Sequence, residues 1–178
     1  MMTDRNHSTH NLFELVKNDV GSGLVARRHF SKGETIYPLS WTGHCSVPSR
    51  WTIQRGMDDH ADILPIELRY VNHSCNPNVF FDVEKNELRA LRDIAPGEEF
   101  RYFYPSTEWE MDEPFDCKCG EAQCCGRIEG ASRMPPEVLK RYELSSVIMK
   151  KLQSRLNEAS SKNIDPRNNI YRSAVDGY

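Results

Sequence analysis

Three cysteines crowd into the run Cys117-Lys-Cys119-Gly-Glu-Ala-Gln-Cys124, and no other feature constrains this chain as tightly. A tetrahedral zinc site takes four soft or borderline ligands, so a cluster that supplies three must draw a fourth from elsewhere. The expected donor is Cys75, inside the heptad Asn72-His-Ser-Cys-Asn-Pro-Asn78. With Cys75 as ligand, the metal fixes a C-terminal flap to the loop that carries the heptad. The other two of the six cysteines, Cys45 and Cys125, read as packing residues, although Cys125 adjoins a ligand and can compete for its place.

A chain of 178 residues with 38% apolar content predicts one domain with a real core, plus extensions. No apolar run approaches the ~20 residues that span a bilayer, and the start lacks a secretory signature. An intracellular location is therefore expected, with nucleus and cytoplasm both open, and in a reducing compartment six cysteines favour metal ligation or burial over disulfides. The net charge of -3 argues against direct nucleic-acid binding, which needs clustered lysine and arginine. Glu108, Glu110, Asp112, Glu113 and Asp116 do cluster. They form either a solvated loop or a field that draws a basic partner.

The first ten residues are polar. β-type runs follow at Leu12–Val16, Leu24–Ala26 and Thr35–Leu39, separated by Gly21-Ser-Gly23 and Ser31-Lys-Gly-Glu34, which read as turns. Val79–Val83 and Leu88–Leu91 read as a hairpin, and Pro96-Gly97 makes a turn before Glu98-Glu-Phe-Arg-Tyr-Phe-Tyr104. Strands this closely spaced, with no intervening helical pattern, exclude a parallel α/β sheet. The expectation is a mainly β (α+β) fold of small curved sheets. One late helix is expected, with Pro135-Pro136 at its start and Val138, Tyr142, Ser145, Ile148 or Met149, Leu152 and Leu156 at helical spacing, and then a weakly ordered tail from Ser160.

Gly21-Ser-Gly-Leu-Val-Ala26 formally fits a dinucleotide fingerprint, but a turn arrives at Lys32-Gly33 too soon for a crossover helix. The two glycines still permit close approach of a cofactor to the backbone. His73 and Cys75 suggest a nucleophile with its base, yet a catalytic thiol needs its base across the fold with an orienting third group.

Taken together these segments resemble the SET-domain family of protein lysine methyltransferases followed by its post-SET zinc segment. The resemblance covers about residues 12 to 128. It rests on Gly21-Ser-Gly23-Leu24 with Lys32-Gly33-Glu34, on Arg69-Tyr-Val-Asn-His-Ser-Cys-Asn-Pro-Asn78, on Gly97-Glu-Glu-Phe-Arg-Tyr-Phe-Tyr104, and on the cysteine cluster. It implies a knotted β-clip, with the SET domain over 12–105 and the zinc segment over 106–130; a flexible tail over 1–11 and a helix and tail over 131–178 are expected outside the resemblance. It also implies that S-adenosylmethionine contacts Gly21, Ser22, Gly23, Leu24, Arg69, Asn72 and His73, with Phe115 over the adenine, and that Cys75, Cys117, Cys119 and Cys124 hold a structural zinc.

Methyl transfer from a sulfonium is an in-line displacement, so the amine must arrive neutral and aligned. Burial beside a positive sulfur depresses a lysine pKa through desolvation and like-charge repulsion. By resemblance Tyr104 is catalytic and orients the amine, Tyr102 tunes the product state toward mono- or dimethylation, and Trp41, Tyr70 and Trp109 wall the channel. Tyr104 is not the general base, because a phenol with pKa near ~10 accepts protons poorly at neutral pH. The expected partner is a lysine-containing protein, a histone tail among the candidates. Two features depart from the family pattern: Phe103 stands in place of an aspartate, and the segment between Gly43 and Arg69 is short. Two other functions stay open, methylation of a small-molecule amine and a non-catalytic interaction module.

Overall fold

Among the described residues, 11–18 and 21–162 of this computed structural model, five small sheets carry the chain, none wider than three strands. Of the tails expected over 1–11 and from Ser160, residues 1–10 and 163–178 lie outside the described residues, while Ser160–Lys162 continue a helix. In chain order the strands are β1 (Phe13–Asn18), β2 (Gly21–Ala26), β3 (Thr35–Pro38), β4 (Ser40–Cys45), β5 (Thr52–Gly56) and β6 (Asp59–Leu64). They continue as β7 (Asn72–His73), β8 (Val79–Asp82), β9 (Glu87–Ala90), β10 (Arg101–Tyr102), β11 (Phe115–Asp116) and β12 (Arg127–Ile128), before the helices α1 (Pro136–Leu139) and α2 (Ser146–Lys162). The sheets are β1-β2, β3-β9-β8, β4-β6-β5, β7-β10 and β11-β12. The architecture is the mainly β one expected.

The hairpin expected around residues 84–87 forms as β8 and β9, with Asn86 at a φ of 53°. Asparagine tolerates that left-handed conformation, and its side-chain carbonyl also accepts the Trp41 indole N–H at 2.6 Å. The one parallel pair joins β7 to β10 in the register Arg101↔Asn72 and Tyr102↔His73. Two residues of ladder are little on their own, so Asn78 reinforces them. It is buried, it donates to the Glu99 carbonyl at 2.8 Å, and it accepts the Arg101 N–H at 2.8 Å. The last asparagine of the heptad thus clamps the final motif.

The local predictions need four corrections. Gly21, Ser22 and Gly23 are strand residues of β2, paired with Asn18, Lys17 and Val16, and not a turn. Residues 40–64 hold the sheet β4-β6-β5, for which no strand was read. Of the run 98–104, only Arg101 and Tyr102 are strand. The single late helix is two, broken between Leu139 and Ser146. In that break Tyr142 leaves the helical path to stack on Phe103, its hydroxyl donating to the Cys75 carbonyl at 2.9 Å, and Ser145 N–H donates to the Ser106 carbonyl at 2.9 Å. Tertiary partners outbid helical spacing there.

Two apolar clusters result. Phe13, Phe30, Ile36, Phe81, Leu88 and Phe100 anchor the one between the sheets. Phe103, Ile128, Leu139, Ile148 and Cys75 anchor the other, where the helices and the cysteine segment meet. Tyr104 packs against both. No helix among the described residues is long and apolar enough to cross a membrane.

Candidate active site

The cysteines converge as the spacing predicts. The sulfurs of Cys75, Cys117, Cys119 and Cys124 all lie within 4.8 Å of one another, and Cys75 Sγ is 4.0 Å from Cys117 Sγ. Zn–S bonds of ~2.3 Å directed to a tetrahedron place sulfurs about 3.8 Å apart, so the donor set fits a zinc-sized cation. Burial, with the neighbouring Cys125 and Cys117 sulfurs adding to it, pushes the Cys75 thiol far up. Its sulfur nevertheless accepts the Cys125 N–H at 3.3 Å, as a thiolate ligand would. Cys125 stays out of the group, its own sulfur 3.8 Å from the Tyr142 hydroxyl, and Cys45 Sγ faces the His60 carbonyl at 3.5 Å.

His73 connects this cluster to the final motif. Its Nδ1 accepts the Tyr104 N–H at 3.3 Å, which leaves the ring proton on Nε2, 3.4 Å from Cys75 Sγ. His73 and Cys75 do therefore touch, but the thiol is buried beside three other sulfurs and no third group orients a base. Burial holds the imidazole neutral, its pKa lowered to about 4.

A cavity of about 910 Å³ opens on the other side of His73. Gly21, Ser22, Gly23, Arg69, Tyr70, Asn72, His73, Tyr102, Tyr104 and Phe115 all line it. Asn72 ties its walls together: Nδ2 donates to the Ser22 carbonyl at 2.9 Å and to Glu99 Oε1 at 2.8 Å. Position 23 is crowded: a Cβ there would come within 2.6 Å of Glu99 Oε1 and 3.1 Å of Asn72 Nδ2, so those side chains would have to shift. The aromatic faces converge as well. His73 lies 5.2 Å from Tyr104 and 5.5 Å from Phe115, and Tyr104 lies 4.6 Å from Tyr102, centroid to centroid.

The Tyr104 hydroxyl donates to the Val71 carbonyl at 3.3 Å, and burial pushes its pKa up to about 12, so it stays protonated at neutral pH. Tyr102 is raised well above the ordinary phenol range, again chiefly by burial. Arg69 is committed to Asp62 through a hydrogen bond of 2.6 Å and a second, closer contact.

Three expected residues lie away from this wall. Leu24 is fully buried in the main core. Trp41 hydrogen-bonds Asn86 and carries the Arg55 guanidinium 5.4 Å above its ring. Trp109 packs in the second cluster, its N–H donating to Gln54 Oε1 at 3.1 Å. Arg50, Trp51, Glu99, Arg101, Glu108 and Asp112, none of which was expected as a site residue, line the cavity instead. Trp51 meets Tyr70 edge-on at 6.4 Å, where Trp41 had been expected to wall the channel. The acidic run offered a signal for Glu108 and Asp112; Arg50 and Trp51 sit in a stretch without any.

A family profile described as "SET domain" matches residues 21–105. "Methyltransferase flvH" of Aspergillus flavus is 47% identical over 124 residues, 68% of this chain and 66% of that protein. "Histone-lysine N-methyltransferase, H3 lysine-4 specific" of Emericella nidulans is 40% identical over 65 residues, 33% of this chain. This chain spans only 5% of that second relative. The structure titled "crystal structure of KRYPTONITE in complex with mCHH DNA, H3(1-15) peptide and SAH" aligns at 19% identity with a TM-score of 0.46, over 65% of this chain and 29% of the other.

Proposed function

The SET domain that this chain carries at residues 21–105 is the premise from which we propose that it is a methyltransferase moving the methyl group of S-adenosylmethionine to the ε-amine of lysine in a protein. The observation that carries the proposal is the single cavity wall shared by Gly21–Gly23, Asn72–His73, Phe115, Tyr102 and Tyr104. Under this reading the glycine edge, Asn72, His73 and Phe115 hold the cofactor. Bound there, S-adenosylmethionine supplies an electrophilic methyl on a cationic sulfur.

The rest is done by the chain's own residues. Tyr104, with its proton directed to the Val71 carbonyl, turns its oxygen lone pairs to the amine and orients it. Tyr102 fills space beside it, and its hydroxyl limits how many methyls the nitrogen carries. Aromatic faces at Tyr70, Trp51, Tyr102 and Tyr104 exclude water and accept the methylated ammonium. The structural metal is zinc on Cys75, Cys117, Cys119 and Cys124. It anchors the segment bearing Phe115, and through His73 it supports the backbone of Tyr104. Asp112, Glu113 and Asp116 also line the cavity, with Glu113 paired to Arg50 at 3.6 Å and Asp116 to Arg127 at 3.1 Å, so a basic peptide such as a histone tail would meet acidic groups that it shares with those arginines.

The test is incubation with labelled S-adenosylmethionine, mixed proteins and free amines, followed by amino-acid analysis. The reading expects label in methyl-lysine of protein. Label confined to small amines would transfer the site to that substrate class.

A further inference from the structure

Glu108 is a carboxyl buried in the cavity wall without a cation. It is 6% exposed and lines the cavity beside Ile53, Ile63 and Tyr102. Its Oε1 accepts Gln54 N–H at 3.2 Å and lies 3.4 Å from Thr107 Oγ1. Its Oε2 faces His60 Nδ1 across 3.9 Å, too far for a hydrogen bond, and that nitrogen, on a residue 4% exposed, has no partner. No lysine or arginine pairs with Glu108 among the described residues. The titratable groups facing it are His60 from β6 and Tyr102 from β10. From α2, Lys151 acts on His60 and sits 5.9 Å over the Trp109 ring.

Buried charges are paired, or they neutralise. Glu108 therefore rests neutral, its proton held by burial, at the wall of the cavity that the methyltransferase reading gives to the amine. We propose that Glu108 receives the substrate ammonium and takes its proton. The assignment rests on the methyltransferase reading and adds a residue to it.

Protons balance as follows. Glu108 loses its resting proton to water when the ammonium binds. One N–H bond of R–NH₃⁺ then breaks, the electron pair stays on nitrogen as the attacking lone pair, and the proton forms an O–H bond on Glu108. The nitrogen lone pair takes the methyl as the S–CH₃ bond breaks with its electrons left on sulfur, giving the neutral thioether S-adenosylhomocysteine; the product departs as R–NH₂⁺–CH₃, and the carboxyl returns to its starting state with one proton released overall. Burial raises the proton affinity of the carboxyl and lowers that of the amine, so the two approach a match, the condition under which such a transfer is efficient.

The experiment compares wild type with Glu108→Gln and Glu108→Asp on a lysine peptide across pH. Glu108→Gln is expected to lose about 100-fold in kcat/KM at neutral pH, the scale of general acid–base catalysis, and to recover as rising pH supplies free amine. Glu108→Asp is expected to keep the wild-type shape of the profile at a lower level. A Glu108→Gln protein that melts like wild type and keeps its kcat/KM profile would overturn the assignment and leave the methyltransferase reading intact.

A second readout needs no turnover. In wild type carrying ¹³C-carboxyl glutamate, with Glu108 assigned through the aspartate variant, n-butylammonium chloride should lower the pH at which that carboxyl titrates. An unchanged titration overturns the proposal even if the glutamine variant fails to fold or the wild type transfers no methyl.

Discussion

At position 103 a phenylalanine lies flat on Tyr142, ring centroids 3.7 Å apart and planes 8° apart, with His73 5.7 Å away on another side. The aspartate expected there by resemblance would bury an unpaired charge in this apolar cluster, so Phe103 and the Tyr142 excursion are one adaptation. Phe103→Ala should cost about 3–5 kcal/mol in urea unfolding, the range for truncating a buried aromatic. Tyr102→Phe removes a hydroxyl and leaves the ring, so mass spectrometry of the product should show a shift toward higher methylation with the fold kept. Glu108 makes stability depend on pH. Burial raises its pKa well above the ordinary carboxyl value of 4.5, so the folded state holds the proton more tightly. That stability is full below 4.5 and is lost as pH rises through the folded value. His60, lowered by burial from 6.5, works oppositely, losing stability as pH falls. Chemical denaturation of wild type and Glu108→Gln across pH isolates the first effect: the variant's curve should lack the decline.

At the scale of elements, the cysteine segment is held by very little apart from its sulfurs. β11 and β12 pair over two residues each, with two further backbone bonds, from Cys117 N–H to the Gly126 carbonyl at 2.6 Å and from Cys124 N–H to the Glu121 carbonyl at 3.0 Å, and only Phe115 and Ile128 at its ends tie it into the second cluster besides the cysteines. Chelation should therefore release residues 115–128 to protease well before the sheets unfold, and Cys75→Ser should do the same with metal present. Limited proteolysis with mass mapping reads both. These elements were legible because metal chemistry fixes residue types at short spacing, and the four cysteines meet as the spacing and the heptad required. The sheet β4-β6-β5 was not legible. Gln54 and His60 are polar residues at buried strand positions and Asp62 is half-buried, so no apolar alternation marks these strands. Gly21 to Gly23 read as a turn for a related reason: glycine permits turns, but here it thins a strand edge where Glu99 and Asn72 come close.

Over the whole molecule, Tyr104 joins the core between the sheets to the core under the helices, and its position depends on both. Cysteine spacing grouped the metal ligands, and the family resemblance grouped Tyr104, Asn72, His73 and Phe115, all four of which line one cavity. The resemblance also put Trp41 and Trp109 on a channel wall, and neither is among the residues that line this cavity. The central claim is that this one cavity presents Tyr104 to an amine opposite a cofactor held by β2, β7 and Phe115. The most direct test is methyl transfer to protein lysine by wild type and by Tyr104→Phe, each saturated with S-adenosylmethionine. The account predicts about a 100-fold or greater fall in rate with unchanged cofactor affinity and melting temperature, since only an orienting hydroxyl is removed. Equal rates in the two proteins would contradict it.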